Sequence, residues 1–321
     1  MSTPFATDSR GESVEAVTLT GHGLTATLLT RGSVLQSLRL EGVGHDLTLG
    51  SDNIADYEGA MGYFGAIVGP VANRLSGARV EIAGTEYRFE ANHINSLLHG
   101  GRQGTWSRNW QVAEEADDAA TLVLDLPDGI DGFPGNRRIT ARWSLQADAT
   151  LRLELEAVSD AETLFNLANH SYWCLDGSHS VTDHRLTVHA DSYTPTDDEV
   201  LPTGEIAPVE GGDYDFRAGK RVVPGAPPLD HNFCTASAEV ELREVAMLEA
   251  GGVTLRMAST APGLQVFDGR NTDAAGLPTY AGLAIEAQLW PDAPSHPEFP
   301  SIALRPGETF RQVTEWRFAK G

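Results

Sequence analysis

The fold class of this chain is decided by two stretches, Ile139-Thr140-Ala141-Arg142-Trp143-Ser144-Leu145 and Leu151-Arg152-Leu153-Glu154-Leu155-Glu156-Ala157. In each stretch an apolar residue alternates with a polar or charged one. This period of two is typical of a strand with one buried face, because successive side chains of a strand point to opposite sides. The same alternation dominates the rest of the chain. The sequence therefore predicts an all-β protein of two large, mainly antiparallel sheets packed face to face.

Glycine-containing turns divide this pattern into hairpins. The turns are Ala83-Gly84 and Gly251-Gly252. The strands that they join are predicted at residues 80–82, 87–89, 245–248 and 253–255. Residues 52–58 are compatible with one short turn of helix. Since no stretch has the composition of a linker, we expect residues 1–321 to form a single domain.

The charge of the chain restricts its partners. The formal net charge is −22, from 45 acidic and 23 basic residues. Such a negative field repels nucleic acid and anionic membranes, and it disfavours a polyanionic substrate. A neutral small molecule is unaffected by it. We therefore expect a neutral substrate and neither a nucleic-acid nor a membrane partner.

The residues that commonly bind metals show no metal-binding spacing. Cys174 and Cys234 are far apart and belong to no Cys-x-x-Cys motif. His184 and His189 are separated by five positions on a predicted strand, so they face opposite sides and make a poor metal pair. We expect these histidines to be solvent-facing or hydrogen-bonded, and we predict no metal and no cofactor.

The N-terminal residues carry no export signal. Residues 1–13 are polar and lack the apolar core of a signal peptide, and no apolar run approaches the length of a membrane span. From these features we expect a cytoplasmic protein. The sequence leaves open whether it is a monomer or a homodimer.

A polar and aromatic cluster, Asn169-His170-Ser171-Tyr172-Trp173, interrupts a predicted strand. A packing strand has little use for four hydrogen-bonding side chains in five positions, because each one needs a partner once it is buried. A sugar site does use them, since histidine can supply a proton near neutral pH and amides, hydroxyls and rings match a pyranose. The alternative is a core histidine with satisfied hydrogen bonds.

Glu286 lies in a run of small and apolar residues, Gly282-Leu283-Ala284-Ile285-Glu286-Ala287-Gln288. The run predicts a strand that is buried on at least one face. A buried glutamate is rare unless it is paired with another group or takes part in chemistry.

Four more polar residues stand in unusual contexts. Arg74 ends an apolar, glycine-rich approach and is either a buried ion-pair partner or a ligand clamp. His99 precedes two glycines, which allow close backbone approach, although a simple loop histidine is an alternative. Asp230 follows two prolines and is compatible with an Asx turn. Gln265 stands among apolar neighbours and is either a site residue or the partner of a buried backbone group.

Taken together, these segments resemble the aldose 1-epimerase (galactose mutarotase) family over most of the chain and in the family's order. The matching motifs are Ala72-Asn73-Arg74-Leu75, Leu98-His99-Gly100-Gly101, Asn169-His170-Ser171-Tyr172-Trp173, Tyr193-Thr194-Pro195, Pro202-Thr203-Gly204-Glu205-Ile206, Asp215-Phe216-Arg217, Asp230-His231-Asn232-Phe233, Pro262-Gly263-Leu264-Gln265, Glu286-Ala287-Gln288 and Pro291-Asp292-Ala293. The resemblance implies a β-supersandwich and the interconversion of the α and β anomers of a free aldohexose of the galactose or glucose type.

The resemblance also implies a role for each matching residue. Glu286 matches the general base and His170 the general acid. Seven residues are implied to bind the sugar or to lie beside the acid: Asn73, Arg74, His99, Ser171, Tyr172, Asp230 and Gln265. Pro70 and Val71 depart from the family, where an Arg-Tyr pair is common, and Cys174 replaces the usual Asn. These departures do not involve the implied acid or base.

The implied chemistry sets requirements on protonation. Glu286, with a reference pKa near 4.3, is expected to be ionised at neutral pH. His170, with a reference pKa near 6.5, has to be protonated to act as an acid, and a nearby carboxylate would favour that state. Asp230 is the candidate for this carboxylate.

Three other functions remain open from the sequence. The first is a glycoside hydrolase that uses Glu286 and Asp230 as its carboxylate pair. The second is a non-catalytic carbohydrate-binding protein. The third is a relative that acts on a hexose phosphate, which would need an added cluster of arginines.

Overall fold

The structure, a computed structural model, describes residues 2–321 and is built almost entirely of β-strands. The strands are β1 (Thr3–Thr7), β2 (Ser13–Gly21), β3 (Leu24–Leu29), β4 (Val34–Leu40), β5 (Ile67–Val68), β6 (Arg74–Leu75), β7 (Arg79–Ile82), β8 (Thr85–Arg88), β9 (Leu97–Leu98), β10 (Gln111–Glu115), β11 (Ala119–Leu126), β12 (Arg137–Gln146), β13 (Thr150–Ser159), β14 (Thr163–Leu164), β15 (Ala168–Asn169), β16 (Tyr172–Trp173), β17 (Arg185–Val188), β18 (Ser192–Thr194), β19 (Ala207–Pro208), β20 (Lys220–Arg221), β21 (Asp230–Cys234), β22 (Arg243–Ala250), β23 (Val253–Ser259), β24 (Gly263–Phe267), β25 (Leu283–Gln288), β26 (Ala303–Leu304) and β27 (Phe310–Lys320). The α-helix found in the described residues is α1 (Ile54–Glu58), and short 3-10 turns occur at Ser76–Ala78, Thr105–Ser107, Ile130–Gly132 and Ala293–Ser295.

Three sheets dominate the architecture. The largest is nine-stranded, in the order β10-β11-β12-β13-β27-β23-β22-β17-β20. A six-stranded sheet has the order β16-β25-β24-β21-β18-β19, and β1 to β4 form a four-stranded sheet in chain order. Neighbouring strands in all three sheets are antiparallel. The all-β prediction and its antiparallel pairing are confirmed.

The two stretches that predicted the fold form the centre of the nine-stranded sheet. They lie on β12 and β13, which pair from Arg137 opposite Ser159 to Gln146 opposite Thr150. On the inner face Trp143 lies opposite Leu153, and both are buried. The alternation of the sequence is therefore the alternation between core and solvent.

The predicted local elements are present. The β7–β8 hairpin turns at Ala83 and Gly84, which have φ of 50° and 77°. The β22–β23 hairpin turns at Gly251 and Gly252. The helix α1 lies inside the predicted segment, and the Asn53 side chain caps it by accepting the Ala55 N–H.

One hydrophobic cluster joins the three sheets. It includes Leu28 on β3, Trp143 on β12 and Ile285 on β25, each of which is buried. The prediction that residues 1–321 form a single domain stays a prediction, and this shared cluster supports it. In the part of the chain that the structure describes, no helix has the length and hydropathy needed to span a membrane.

Removal of the Trp143 side chain tests the central packing. Its ring is fully buried, and its Nε1–H donates to Ser33 Oγ at 3.0 Å. We expect Trp143→Ala to lower the free energy of unfolding by about 3–5 kcal/mol. The control is Arg142→Ala on the outer face, where an exposed ion pair with Glu156 is worth roughly 0–1 kcal/mol. Urea denaturation measures both variants, and an equal loss in the two would contradict this packing.

Candidate active site

The six-stranded sheet brings three predicted site residues to one face. Gln265 on β24 lies opposite Glu286 on β25, and Asn232 on β21 lies opposite Gln265. Asp230, two residues before Asn232, projects from the same face. The other face is buried in the core through Leu264, Val266, Ile285 and Ala287. The strand register therefore places acidic and amide side chains on one face of the sheet and apolar side chains on the other.

A second group of site residues is held by the short β6–β9 pair. Asn73 and His99 flank this pair, and both have positive φ, of 60° and 51°. The His99 N–H donates to Asn73 O at 2.9 Å, and the Asn73 N–H donates to His99 Nδ1 at 3.1 Å. Because Nδ1 accepts, a neutral His99 carries its proton on Nε2. Burial is the main cause that lowers the pKa of His99 well below its ordinary value, so the ring stays neutral.

Gly100 allows the chain to turn directly after His99. Its φ is +77°, and a Cβ atom at this position would lie 2.0 Å from Gly69 O. A residue with a side chain would therefore displace the backbone that carries His99.

The two groups enclose a cavity of about 240 Å³. Pockets for drug-sized ligands are roughly 300–1,000 Å³, so this cavity suits a smaller molecule. The residues that line it are Ala60, Tyr63, Phe64, Asn73, Arg74, His93, Leu98, His99, His170, Tyr172, Asp230, Phe267, Asn271, Thr272 and Glu286.

Glu286 and His170 meet in the wall of this cavity. Glu286 Oε1 lies 3.5 Å from His170 Nε2, and the two side chains are 2% and 6% exposed. Glu286 Oε2 and His170 Nδ1 are buried without a hydrogen-bond partner among the described residues. Buried polar atoms of this kind call for an explanation, and atoms that await a ligand are one.

Burial shifts the pKa values of this pair away from the charged forms that the sequence analysis expects. Burial raises the pKa of Glu286 well above its ordinary value, with a further contribution from Asp230, while Arg74 opposes the shift. Burial also lowers the pKa of His170 to about 4. Both shifts have the same cause, because a dry environment disfavours carboxylate and imidazolium alike. Both shifts favour the neutral form of each group, and in these forms the pair holds one proton.

The contacts of Asp230 are with Arg74 and Gln265 and not with His170. Its Oδ2 lies 3.4 Å from Arg74 Nη2, and its Oδ1 accepts from Gln265 Nε2 at 2.6 Å. The hypothesis that Asp230 stabilises a protonated His170 is not supported, because Arg74 and Gln265 bind its two oxygens. Asp230 instead adds negative potential at Glu286.

Two of the predicted sugar-binding residues do not line the cavity. Ser171 is completely buried, and it is not part of the cavity wall. The alternation of successive side chains accounts for this, since His170 and Tyr172 on either side do line the cavity. Gln265 is buried and reaches the site only through Asp230.

Aromatic and polar residues that the sequence analysis missed complete the cavity. The Tyr63 ring lies 4.6 Å from that of His99, centroid to centroid, and Phe64 stacks on Tyr172 at 4.1 Å. His93 and Asn271 add polar atoms. His93 had a signal, since it stands in a polar stretch shortly before His99. Tyr63 had no such signal, because it lies in a glycine-rich loop that shows no strand or helix periodicity.

Potential metal ligands meet at one place outside the cavity. The ligand atoms of Cys174, Asp176 and His184 lie within 4.8 Å of one another, the one such group found in residues 2–321. However, His184 Nε2 accepts the Leu175 N–H at 2.8 Å. A neutral His184 then carries its proton on Nδ1 and has no free lone pair for a metal. The group does not fit a metal site.

The histidines predicted to be satisfied or exposed are as expected. His184 is buried and hydrogen-bonded through Nε2. His189 is exposed, and its Nε2 lies 3.1 Å from Glu244 Oε1.

The profile of the family described as aldose 1-epimerase matches residues 15–317. The chain belongs to the aldose 1-epimerase family. The match includes every site residue considered above, from Tyr63 to Glu286.

Individual members of the aldose 1-epimerase family are similar to this chain over nearly its whole length. Galactose mutarotase of Mus musculus is 34% identical over 97% of this chain and 96% of its own. Aldose 1-epimerase of Escherichia coli (strain K12) is 31% identical over 92% of each chain. The solved structure of a GalM/aldose epimerase homologue from C. elegans has a TM-score of 0.88 at 29% identity, covering 95% of this chain and 98% of that chain. The predicted mutarotase-like fold and aldose 1-epimerase activity are confirmed.

The shared proton predicts a bell-shaped pH dependence for the epimerase. With Glu286 and His170 as the expected base and acid, acid–base exchange needs one proton on this pair. We expect kcat/KM to fall below about pH 4, where His170 is also protonated, and to fall again as pH rises through the raised pKa of Glu286. Polarimetry with buffer blanks measures this profile. A rate independent of pH would contradict the assignment.

The buried carboxyl also predicts a gain in stability when it is removed. Because the folded-state pKa of Glu286 is raised, its protonation stabilises the fold below the unfolded pKa, and this contribution is lost as pH rises through the folded pKa. We expect Glu286→Gln to raise the melting temperature at neutral pH and to leave it unchanged near pH 4. The control is Glu81→Gln on the exposed face of β7. An equal change in the two variants at both pH values would contradict the prediction.

Proposed function

We propose that the enzyme interconverts the α and β anomers of a free neutral aldohexose of the galactose or glucose type, with Glu286 as base and His170 as acid. The observation that carries the proposal is the contact of Glu286 and His170 in the wall of a small cavity whose other polar groups suit hydroxyls. The names of the relatives, galactose mutarotase among them, support the same substrate class.

The reaction balances with the two side chains alone. Glu286 takes the proton of the C1 hydroxyl while His170 gives a proton to the ring oxygen. The bond from C1 to the ring oxygen breaks and C1 becomes an aldehyde carbonyl. After rotation about the C1–C2 bond the ring oxygen attacks the other face of the carbonyl, and both protons return.

Substrate binding has to favour one of two positions of the proton, on Glu286 or on His170. In the empty cavity burial favours a neutral carboxyl beside a neutral imidazole. The proposed reaction starts from carboxylate and imidazolium. Sugar hydroxyls that donate to the unpaired Glu286 Oε2 stabilise the carboxylate, and Arg74 already lowers the pKa of that group. Moving the proton to His170 is then a consequence of binding.

The remaining polar residues are proposed to hold the ring. His99 offers an Nε2–H donor, Asn73 and Arg74 offer donors and an acceptor, and Asp230 offers a carboxylate that two neighbours keep in place. Tyr172 stacks on Phe64 and forms an apolar wall. All of these residues belong to one chain, so a monomer suffices for activity and a homodimer is not required.

A hexose phosphate fits the cavity less well. Among the described residues Arg74 is the one Arg or Lys that lines it, and Asp230 lies 3.4 Å away from its guanidinium. A dianionic phosphate would need uncompensated positive charge. A glycosidase reaction would use Glu286 and Asp230 as its carboxylate pair, whereas Glu286 contacts His170 in this cavity and Asp230 is bound to Arg74 and Gln265.

Replacement of each partner tests the proposal. We expect Glu286→Gln and His170→Asn each to slow mutarotation of α-D-galactose roughly 10²- to 10⁴-fold, because each removes one proton-transfer group. Polarimetry measures the rate, and calorimetric titration with galactose shows whether sugar binding is retained. The control is Glu81→Gln, which leaves the cavity intact.

The outcomes separate the candidates. Near-normal turnover in either variant would contradict the assigned roles. Binding of sugar by the wild-type protein without faster anomerisation would contradict catalysis itself. Acceleration with glucose 6-phosphate but not with galactose or glucose would favour the phosphate reaction.

A further inference from the structure

His93 stands at the rim of the cavity in a loop that is well held by hydrogen bonds. Its N–H donates to Ser96 O at 3.3 Å, and the Ser96 N–H donates back to His93 O at 2.8 Å. The neighbouring Asn92 side chain accepts from Leu98 N at 2.7 Å and donates to Leu98 O at 3.0 Å. These bonds hold the loop backbone that carries His93 without any contribution from a substrate.

The ring of His93 contacts the guanidinium of Arg74. Arg74 Nε–H donates to His93 Nδ1 at 3.5 Å. The other two nitrogens of the same guanidinium also have partners. Nη1 lies 3.3 Å from Asn73 Oδ1, and Nη2 lies 3.4 Å from Asp230 Oδ2. All three contacts are long, so none of them alone fixes the orientation of Arg74.

We propose that His93 is a positioning residue whose neutral imidazole orients Arg74 towards the sugar, so that acid weakens sugar binding without slowing the chemical step. The inference rests on the proposed function, because it concerns a residue that is proposed to hold the same sugar. Nδ1 accepts only while it is unprotonated. Protonation removes the acceptor and places a second positive charge beside the guanidinium.

The charged groups around His93 determine the direction of its titration. Arg74 on β6 faces His93 and opposes its protonation, and a protonated His99 would have the same effect. Asp230 on β21 favours the protonation of His93. Glu199 bonds to Asn95 of the same loop, and Tyr63, His170 and Glu286 share the cavity. Burial and Arg74 together lower the pKa of His93 below its ordinary value. His93 is thus neutral at pH 7, and the orientation of Arg74 is lost as pH falls through that lowered pKa.

The test compares KM and kcat for α-D-galactose in three proteins, from about pH 7.5 down to about pH 5, above the acid limit set by His170. His93→Asn keeps an acceptor, since its Oδ1 occupies nearly the position of Nδ1, but it cannot titrate. His93→Leu has no acceptor at any pH. We expect the wild-type KM to rise about 3- to 10-fold over this range, as for the loss of one hydrogen bond. The KM of His93→Asn does not show this rise, and that of His93→Leu is raised throughout.

The turnover number distinguishes positioning from catalysis. We expect kcat of the three proteins to agree within about 2-fold at each pH, because the side-chain contact of His93 is with Arg74 and not with Glu286 or His170. The titration of Glu286 and His170 is common to all three, so the ratio of KM values isolates His93. Melting temperatures at each pH show that the variants are folded.

Two results would overturn the inference. One is an acid rise of KM in His93→Asn that equals the wild-type rise, which would assign the effect to another group. The other is a fall of kcat with unchanged KM in His93→Leu. A failure of the proposed function is seen separately, as a wild-type protein that does not accelerate anomerisation.

Discussion

The structure depends on one constraint, the burial of a carboxyl beside an imidazole. Glu286 lies in the middle of a six-stranded sheet whose other face is part of the main core, and its Oε1 is 3.5 Å from His170 Nε2. Neither group is charged easily in such an environment. The uncharged forms of the two groups hold one proton between them, and the proposed acid–base catalysis of anomerisation needs one proton on this pair.

The remaining polar groups form a connected row around this pair. Gln265 holds Asp230, Asp230 lies beside Arg74, and Arg74 reaches His93 at the rim. The row joins the sheet to a loop that is distant in sequence. Asp230, Arg74 and His93 line the cavity, so these three members of the row can bind hydroxyls while the charges of Asp230 and Arg74 balance each other.

The site is built at the expense of stability, and the rest of the fold compensates. Glu286 Oε2, His170 Nδ1 and Ser171 Oγ are buried without partners among the described residues. Such atoms destabilise a folded protein, typically by about 1–3 kcal/mol each. The extensive β12–β13–β27 packing around Trp143 and Trp316, which carries no chemistry, supports the sheet that presents these groups.

Through its resemblance to the aldose 1-epimerase family, the sequence indicated Glu286 and His170 as the proposed base and acid. By itself it determined the β-architecture and the hairpins at Ala83-Gly84 and Gly251-Gly252. These properties are local, because strand alternation and turn chemistry depend on near neighbours. Only the tertiary structure decided that Ser171 faces away from the cavity, that Asp230 binds Arg74 and Gln265 and not His170, and that His93 belongs to the site. It also decided the direction of the pKa shifts of Glu286 and His170, because desolvation is imposed by residues far away in the chain and no stretch of sequence contains it.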